Sequence, residues 1–305
     1  MVSQQLLTQR LLDRLWTGYT ERVAYARRYA ELVTEKGGRV VNDHCAFRTF
    51  NCPTGEQPAG IEAIGTVLES LGYLRRDPYA FPSKHLNSFH YQHPDNREFP
   101  KFFVTQLEVD ALSEDVAELI KEAVDDTPDL LGGAPRALLA ELKANGEVDE
   151  ANAEALVEAL VGFFARPWAP PKRLTVLRVN DESQFAAWTL LHGNAVNHFT
   201  AYVNFQEVPD WPDIEATAAG LSAAGVPMKD RIEGEPGSKL RQTSTQAVDE
   251  ECAVTEADGS GSTLTWSYAY YELAERGTIE QNGEKMGFDG FLGEQATNLF
   301  EMTKR

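Results

Sequence analysis

The chain is poor in cysteine and in basic residues, and it has no long hydrophobic run. Three cysteines occur in 305 residues, Cys45, Cys52 and Cys252. The number is odd and the spacing fits neither a zinc ribbon nor a CxxC pair. No disulfide framework is expected, and the thiols read as free in a reducing cytoplasm. Lys and Arg total 28 against 47 Asp and Glu, a formal charge of −19. Such a chain repels phosphate backbones and anionic lipids, which argues against nucleic acid and membrane surfaces as partners. No run of about 18 apolar residues is present, so no membrane span is expected. Residues 1–16 carry charges throughout, where a signal peptide needs an unbroken apolar run. The glycine-rich stretches at 234–237 and 259–261 open no helix and read as turns, not phosphate cradles. No GxSxG or Cys-His nucleophile pattern stands out.

What is present is ordinary globular material, 42% apolar and 25% charged. A length of 305 residues suggests two domains or one domain of two modules. Leu6, Leu7, Leu11, Leu12, Leu15, Trp16 and Tyr19 recur at helical spacing, and Gly37-Gly38 ends that run. Residues 1–38 therefore read as N-terminal helices. A β-like run at 39–50, a helix at 61–71 and strand-like runs at 73–81, 86–92 and 101–107 make a first module over 39–110. Residues 111–172 read as a helical insert closed by a proline-stiffened segment. The remainder, 173–305, reads as a second module and a C-terminal segment, with strand-like runs at 196–205, 226–232, 238–245 and 263–271 around a helix at 214–224. The acidic stretch 249–261 reads as an exposed hairpin loop.

The two modules align. Ile61-Glu62-Ala63 matches Ile214-Glu215-Ala216 at an offset of 153, and Leu68/Leu221 and Gly72/Gly225 keep that offset. Asp43-His44 corresponds to Asn197-His198, one residue further on. The same βαβββ order surrounds both, so the fold class expected is α+β, a duplicated βαβββ unit with helices outside.

This alignment singles out a group of residues. Side chains alternate along a strand, so His44, Ala46 and Arg48 share one face. His198 takes the matching place in the second module, and Glu272 is expected to end that module's last strand. Two histidines and one carboxylate with open positions suit non-haem Fe(II) and O2 chemistry. The symmetric fourth position is expected near Thr105, Gln106 or Glu108. Glu108 reaching the metal would close the site. Arg48 is suited to gripping an anion beside the metal, and Arg241 is a candidate second clamp. His90 is the best outer partner among the clustered His85, His90 and His93, and His192 reads as a loop residue. Each has an ordinary alternative: a hydrogen-bonded core histidine, an ion pair of Glu272 with Arg276, an edge-strand arginine.

The segments Asp43-His44-Cys45-Ala46-Phe47-Arg48-Thr49-Phe50, Phe102-Phe103-Val104-Thr105-Gln106-Leu107, Asn197-His198-Phe199-Thr200, Leu240-Arg241-Gln242-Thr243-Ser244 and Tyr270-Tyr271-Glu272-Leu273 resemble the 2-oxoadipate dioxygenase/decarboxylase family of the vicinal-oxygen-chelate superfamily. The resemblance implies a metal-bearing β pocket in which His44, His198 and Glu272 ligate Fe(II) and Arg48 holds the substrate carboxylate. It implies conversion of a 2-oxo acid, 2-oxoadipate in the family, with O2 to a 2-hydroxy acid and CO2, in lysine breakdown. The partners expected are thus a small 2-oxo acid and O2, with the oligomeric state left open. Two other readings share the fold: a glyoxalase-type Zn or Ni lyase or isomerase, and a non-catalytic small-molecule binder.

Overall fold

The computed structural model describes residues 1–281 and 283–292. The helical run expected at the N-terminus is two helices, α1 (Gln4–Arg22) and α2 (Ala24–Glu35), broken at Val23. Ser3 caps α1 by accepting from the Leu6 N–H at 3.3 Å, and Leu7, Leu11, Leu12, Leu15 and Tyr19 form its buried stripe. No helix among the described residues is long and apolar enough to cross a membrane.

The strands that position the site are, in chain order, β1 (Asn42–Phe50), β2 (Leu74–Phe81), β3 (Leu86–Gln92), β4 (Lys101–Leu107), β5 (Val196–Tyr202), β6 (Leu240–Ser244), β7 (Val248–Thr255), β8 (Gly261–Ala269) and β9 (Glu272–Arg276). Seven of them form one sheet in the order β2-β3-β4-β1-β5-β9-β6. The helices are α3 (Gly60–Ser70) in the first half, α4 (Glu114–Val124), α5 (Ala134–Asn145) and α6 (Glu150–Phe163) in the insert, and α9 (Ile214–Ala223) in the second half. Between insert and second half lie α7 (Arg173–Glu182) and α8 (Gln184–His192), which the sequence pattern did not disclose.

The sheet is built about a pseudo-twofold axis. β1 and β5 lie antiparallel at its centre, with Cys45 opposite Phe199, His44 opposite Thr200 and Ala46 opposite His198. Adding 154 to 44, 45 and 46 gives 198, 199 and 200, so each strand pairs with its own counterpart about the Cys45–Phe199 pair. β4 runs parallel to β1 on one side, as β9 does to β5 on the other. β3 and β6 then add antiparallel. Helices α3 and α9 are equivalent too. Each is followed, one residue past its cap, by a glycine in the left-handed region, Gly72 at φ +90° and Gly225 at φ +82°.

The halves differ in two ways that correct the sequence reading. The run at 226–232 is not a strand of its own. It makes only the bridges Met228↔Thr245 and, just beyond it, Glu233↔Gln242, because Pro227 has no N–H to donate and Gly234 turns the chain at φ +86°. The acidic stretch at 249–261 is not a loop either. β7 and β8 form a paired hairpin there, outside the seven-stranded sheet. The expected strand 263–271 therefore ends at Ala269, and Glu272 begins a separate strand, β9, where the sequence reading had it end one. Thr245 ties the corner between them: its N–H donates to Tyr271 O at 2.9 Å, and its Oγ1 accepts from the Tyr271 N–H at 3.0 Å.

Candidate metal centre

His44, His198 and Glu272 meet across the three central strands. One ligand atom from each lies within 4.8 Å of the other two. His44 Nε2 is 3.6 Å from Glu272 Oε1, and His198 Nε2 is 3.7 Å from Glu272 Oε2. All three side chains are buried. The Gln242 amide donates to Glu272 Oε1, while Oε2 is buried without a hydrogen bond. Among the described residues no fourth His, Cys, Asp or Glu joins the group.

The histidines are held by the residues that precede them. On a regular strand, neighbours point to opposite faces. Here the register of the β1–β5 pair slips at Asp43 and again at Asn197, so each is the extra residue of a β-bulge. A bulge re-aims its side chain. Asp43 Oδ1 accepts from His44 Nδ1 at 2.8 Å, and Asn197 Oδ1 accepts from His198 Nδ1 at 3.0 Å. With each Nδ1 carrying its proton outward, each Nε2 keeps a lone pair for the centre. Thr200 Oγ1 lies 3.0 Å from His44 Nε2 and donates to it.

Burial sets the electrostatics. It pushes the Glu272 carboxyl up to about 8, against the hydrogen bond from Gln242. It lowers His44 despite Asp43, and lowers His198 well below the usual range, helped by the charges of His44 and Arg48. Two neutral imidazoles and a carboxyl whose anion is opposed by burial fit a divalent cation, which would hold Glu272 ionised. Burial also acts against ionised Asp43, but the charges of Arg276 and Lys101 outweigh it and hold that carboxyl well below the usual range. Arg276 donates from Nη2 to Asp43 Oδ1 at 2.7 Å and from Nε to Oδ2.

A cavity opens on this group, lined by both histidines, Arg48, Asn197, Gln242 and Tyr270 among others. Arg48 is 2% exposed, and none of its three guanidinium nitrogens has a hydrogen-bond partner. The guanidinium lies over the rings of Trp188 and Phe185, 4.8 and 4.9 Å from their centroids. Burial lowers it to about 10, which leaves it charged at neutral pH. Phe291 covers the group from the C-terminal side, its ring centroid 4.9 Å from those of His44 and Phe103. The Arg276 Nη1 donates to Phe288 O at 3.2 Å and Gly290 O at 2.7 Å, which fixes this segment.

Several candidates lie elsewhere. Arg241 does not line the cavity. Its neighbour Gln242 does, and alternation turns Arg241 the other way, onto Glu215 (Nη1–Oε2 2.9 Å) and Glu275 (3.4 Å). A second anion clamp there is not supported. Glu108 is no fourth ligand: it accepts from Asn87 at 2.7 Å, from Gln106 at 3.0 Å and from Asn51. Gln106 is engaged there and with the Ile61 N–H. Thr105 lines the cavity and bonds Ser88. His90 packs on Phe291, 5.3 Å between centroids, and bonds Tyr79 Oη at 3.2 Å. His192 is no loop residue: it ends α8, buried, 3.2 Å from Glu250. The sequence reading missed Asp43 and Asn197 as supports, although the pairing of Asp43-His44 with Asn197-His198 pointed at both. Arg276, read in the sequence only as an ion-pair partner for Glu272, pairs with Asp43 instead, Gln242 stood only within a segment of the resemblance, and nothing in the sequence marked Phe291.

The family described as 2-oxoadipate dioxygenase/decarboxylase matches residues 10–304. The chain belongs to that family. A rice protein (Oryza sativa subsp. japonica) named 2-oxoadipate dioxygenase/decarboxylase, chloroplastic/amyloplastic, is 27% identical over 306 residues, 93% of this chain and 75% of its own length. A glyoxalase-superfamily protein of Ralstonia eutropha JMP134 has a crystal structure matching at TM-score 0.83 and 27% identity, over 90% of this chain and 84% of that one. The hydroxyglutarate synthase of Oryza sativa, solved in complex with 2-oxoadipate, matches in fold at TM-score 0.76 and 23% identity, over 100% of this chain and 96% of that one. The pseudo-twofold sheet is thus a glyoxalase-superfamily fold, and the chain is an enzyme of a dioxygenase/decarboxylase family.

Proposed function

We propose that this enzyme binds Fe(II) through His44, His198 and Glu272 and converts 2-oxoadipate and O2 to 2-hydroxyglutarate and CO2. The carboxyl carbon next to the keto group leaves as CO2, the keto carbon becomes the new carboxylate by taking one atom of O2, and the other atom becomes the new hydroxyl. The observation that carries the reading is the pair formed by the convergent histidine–carboxylate group and the unpartnered, buried guanidinium of Arg48 in the same cavity. An iron held there would supply electrons for O2 and Lewis acidity for the keto acid.

The protein's own groups do the rest. Arg48 is the anion grip, able to hold a carboxylate by two parallel charge-assisted hydrogen bonds. Its charge and a divalent cation, less the Glu272 anion, leave two positive charges in a buried site. A dicarboxylate neutralises both, which favours a substrate with two carboxylates over a simple 2-oxo acid. Asp43 is already neutralised by Arg276 and takes no part in that balance. Phe47, Phe103 and Phe291 line the cavity and exclude bulk water. The three free buried cysteines fit work in a reducing cytoplasm.

The test is O2 uptake by anaerobically Fe(II)-loaded protein given 2-oxoadipate, with CO2 and 2-hydroxyglutarate measured together. One O2 consumed per CO2 released is expected. Product formed at full rate without O2 overturns the proposal and points to a lyase or isomerase of the same fold. Binding without turnover of any 2-oxo acid points to a sequestering protein.

A further inference from the structure

The two bulge residues that hold the histidines are not alike, and their difference marks a second contact for the ligand. Asp43 and Asn197 are equivalent by the offset of 154 and by register. Both oxygens of Asp43 are engaged, with His44 and with Arg276. On Asn197, Oδ1 accepts the hydrogen bond of His198 Nδ1, and Nδ2 is buried with no hydrogen-bond partner. The residue is 3% exposed and lines the cavity beside His198 and Arg48.

The orientation of this amide follows from the chemistry of its neighbour. His198 Nε2 faces Glu272, so Nδ1 must carry the ring proton if Nε2 is to act as a ligand. A protonated Nδ1 requires an acceptor, which places Oδ1 against it and turns the NH2 group away. A buried N–H without a partner costs about 1–3 kcal/mol, so a native structure that keeps one calls for a reason. An aspartate here, as in the first half, would set a second buried carboxylate beside the anion site. The first half provides it no arginine, since the register that equates Glu272 with Phe103 puts Leu107 in the place that Arg276 holds for Asp43.

We propose that Asn197 Nδ2 donates a hydrogen bond to an anionic oxygen of the bound 2-oxo acid, alongside Arg48, while Oδ1 of the same side chain positions His198. The inference rests on the functional reading above, in that it takes a chelating 2-oxo acid as the ligand. Asn197 then couples ligand capture to the orientation of one metal-binding histidine. On the other side Asp43, the support of His44, is engaged by Arg276 and does not line the cavity.

The test uses the full chain and separates the two roles. Metal affinity is measured by titration of metal-free protein with Co(II), whose visible spectrum reports the ligand set. Ligand affinity is measured anaerobically on Co(II)-saturated protein with 2-oxoadipate and with oxalate. Asn197→Asp keeps the acceptor for His198, so Co(II) affinity should stay within about threefold while both acids bind at least tenfold more weakly. Asn197→Ala removes both roles without adding charge. Co(II) affinity should fall by roughly 10–100-fold, and 2-oxoadipate should still bind at least tenfold more weakly once the site is saturated and its spectrum matches wild type. Wild-type affinity for both acids in Co(II)-saturated Asn197→Ala overturns the inference and leaves Asn197 as a support for His198 alone. Failure of the wild-type Co(II) protein to bind either acid would instead overturn the functional reading.

Discussion

Glu272 and Phe103 occupy the same place in the two halves of the sheet. Glu272 stands opposite Thr200 in the parallel β9–β5 pair, and Phe103 stands opposite Ala46, the counterpart of Thr200, in the parallel β4–β1 pair. The duplication thus supplies four candidate ligand positions and fills three with metal-binding side chains. The fourth carries a phenyl ring that lines the cavity. A catalytic metal site differs from a structural one in keeping positions open.

Phe103→Glu is expected to fill that position. Metal should still bind one per chain, as tightly as in wild type or more so. Oxalate and 2-oxoadipate should bind roughly 10–100-fold more weakly, since a protein carboxylate now competes for the open positions. Isothermal titration of metal-loaded protein checks both. Unchanged binding of the acids would show that position 103 does not face the metal.

The Asp43–Arg276 pair should matter for both stability and metal binding. Both partners are buried, and Arg276 also holds the carbonyls of Phe288 and Gly290. Arg276→Met leaves Asp43 as a buried anion without its main partner, a change that typically costs about 3–5 kcal/mol. The double variant Asp43→Asn, Arg276→Met restores a neutral pair that still accepts from His44, and should recover much of that loss. Denaturant midpoints check the cycle, and hydrogen exchange at residues 288–292 should rise in both variants.

The parts of this molecule that repeat were legible in the sequence, and the parts that break the repeat were not. Ile61-Glu62-Ala63 and Ile214-Glu215-Ala216 announced the equivalent helices, and the glycines that end them had to be equivalent because both adopt positive φ. His44 and His198 followed from the same alignment. The β7–β8 hairpin is inserted before β9, so counting along the chain placed Glu272 at the wrong end of a strand and sought its counterpart around Glu108 rather than at Phe103. Asp43 and Asn197 escaped notice because strand alternation turns them from the site, and only the bulges bring them back. Arg241 misled for the opposite reason: an arginine on a pocket strand proved to be on its outer face, paired with Glu215.

Acid should destabilise the protein through a pair remote from the metal group. Burial lowers His192 from 6.5 to about 4 despite Glu250 beside it. Hydrogen bonds from His192 and Arg22 outweigh burial and lower Glu250 from 4.5 to about 2. Both folded values lie below the unfolded ones, so the unfolded chain takes up protons first as pH falls. The contribution of His192 is complete above pH 6.5 and is lost toward pH 4. That of Glu250 is complete above pH 4.5 and is lost toward pH 2. The denaturant midpoint should fall between pH 7 and 4, and the gap between wild type and Glu250→Gln should narrow below pH 4.5. A gap independent of pH down to 3 would show that Glu250 is not held ionised by these partners.

Arg48 should show opposite effects on stability and function. Its guanidinium is buried with no hydrogen-bond acceptor, a state that costs free energy in the folded protein and has value only when an anion arrives. Arg48→Met retains a long side chain against Trp188 and Phe185 and removes the unpaired charge. The ligand-free variant is therefore expected to be as stable as wild type or more stable, by about 1–3 kcal/mol. Arg48→Lys keeps the charge but not the planar fork, and is expected to lose about 2–3 kcal/mol of transition-state stabilisation, on the order of 30–150-fold in kcat/KM. Metal content should be unchanged in both, because Arg48 belongs to the cavity wall and not to the convergent group of His44, His198 and Glu272. Adding 2-oxoadipate should raise the thermal midpoint of metal-loaded wild type and barely move that of Arg48→Met, since only a ligand that binds the folded form stabilises it. Destabilisation of Arg48→Met by several kcal/mol, or wild-type kinetics in Arg48→Lys, would make this arginine a packing residue and remove the anion grip from the proposed reaction.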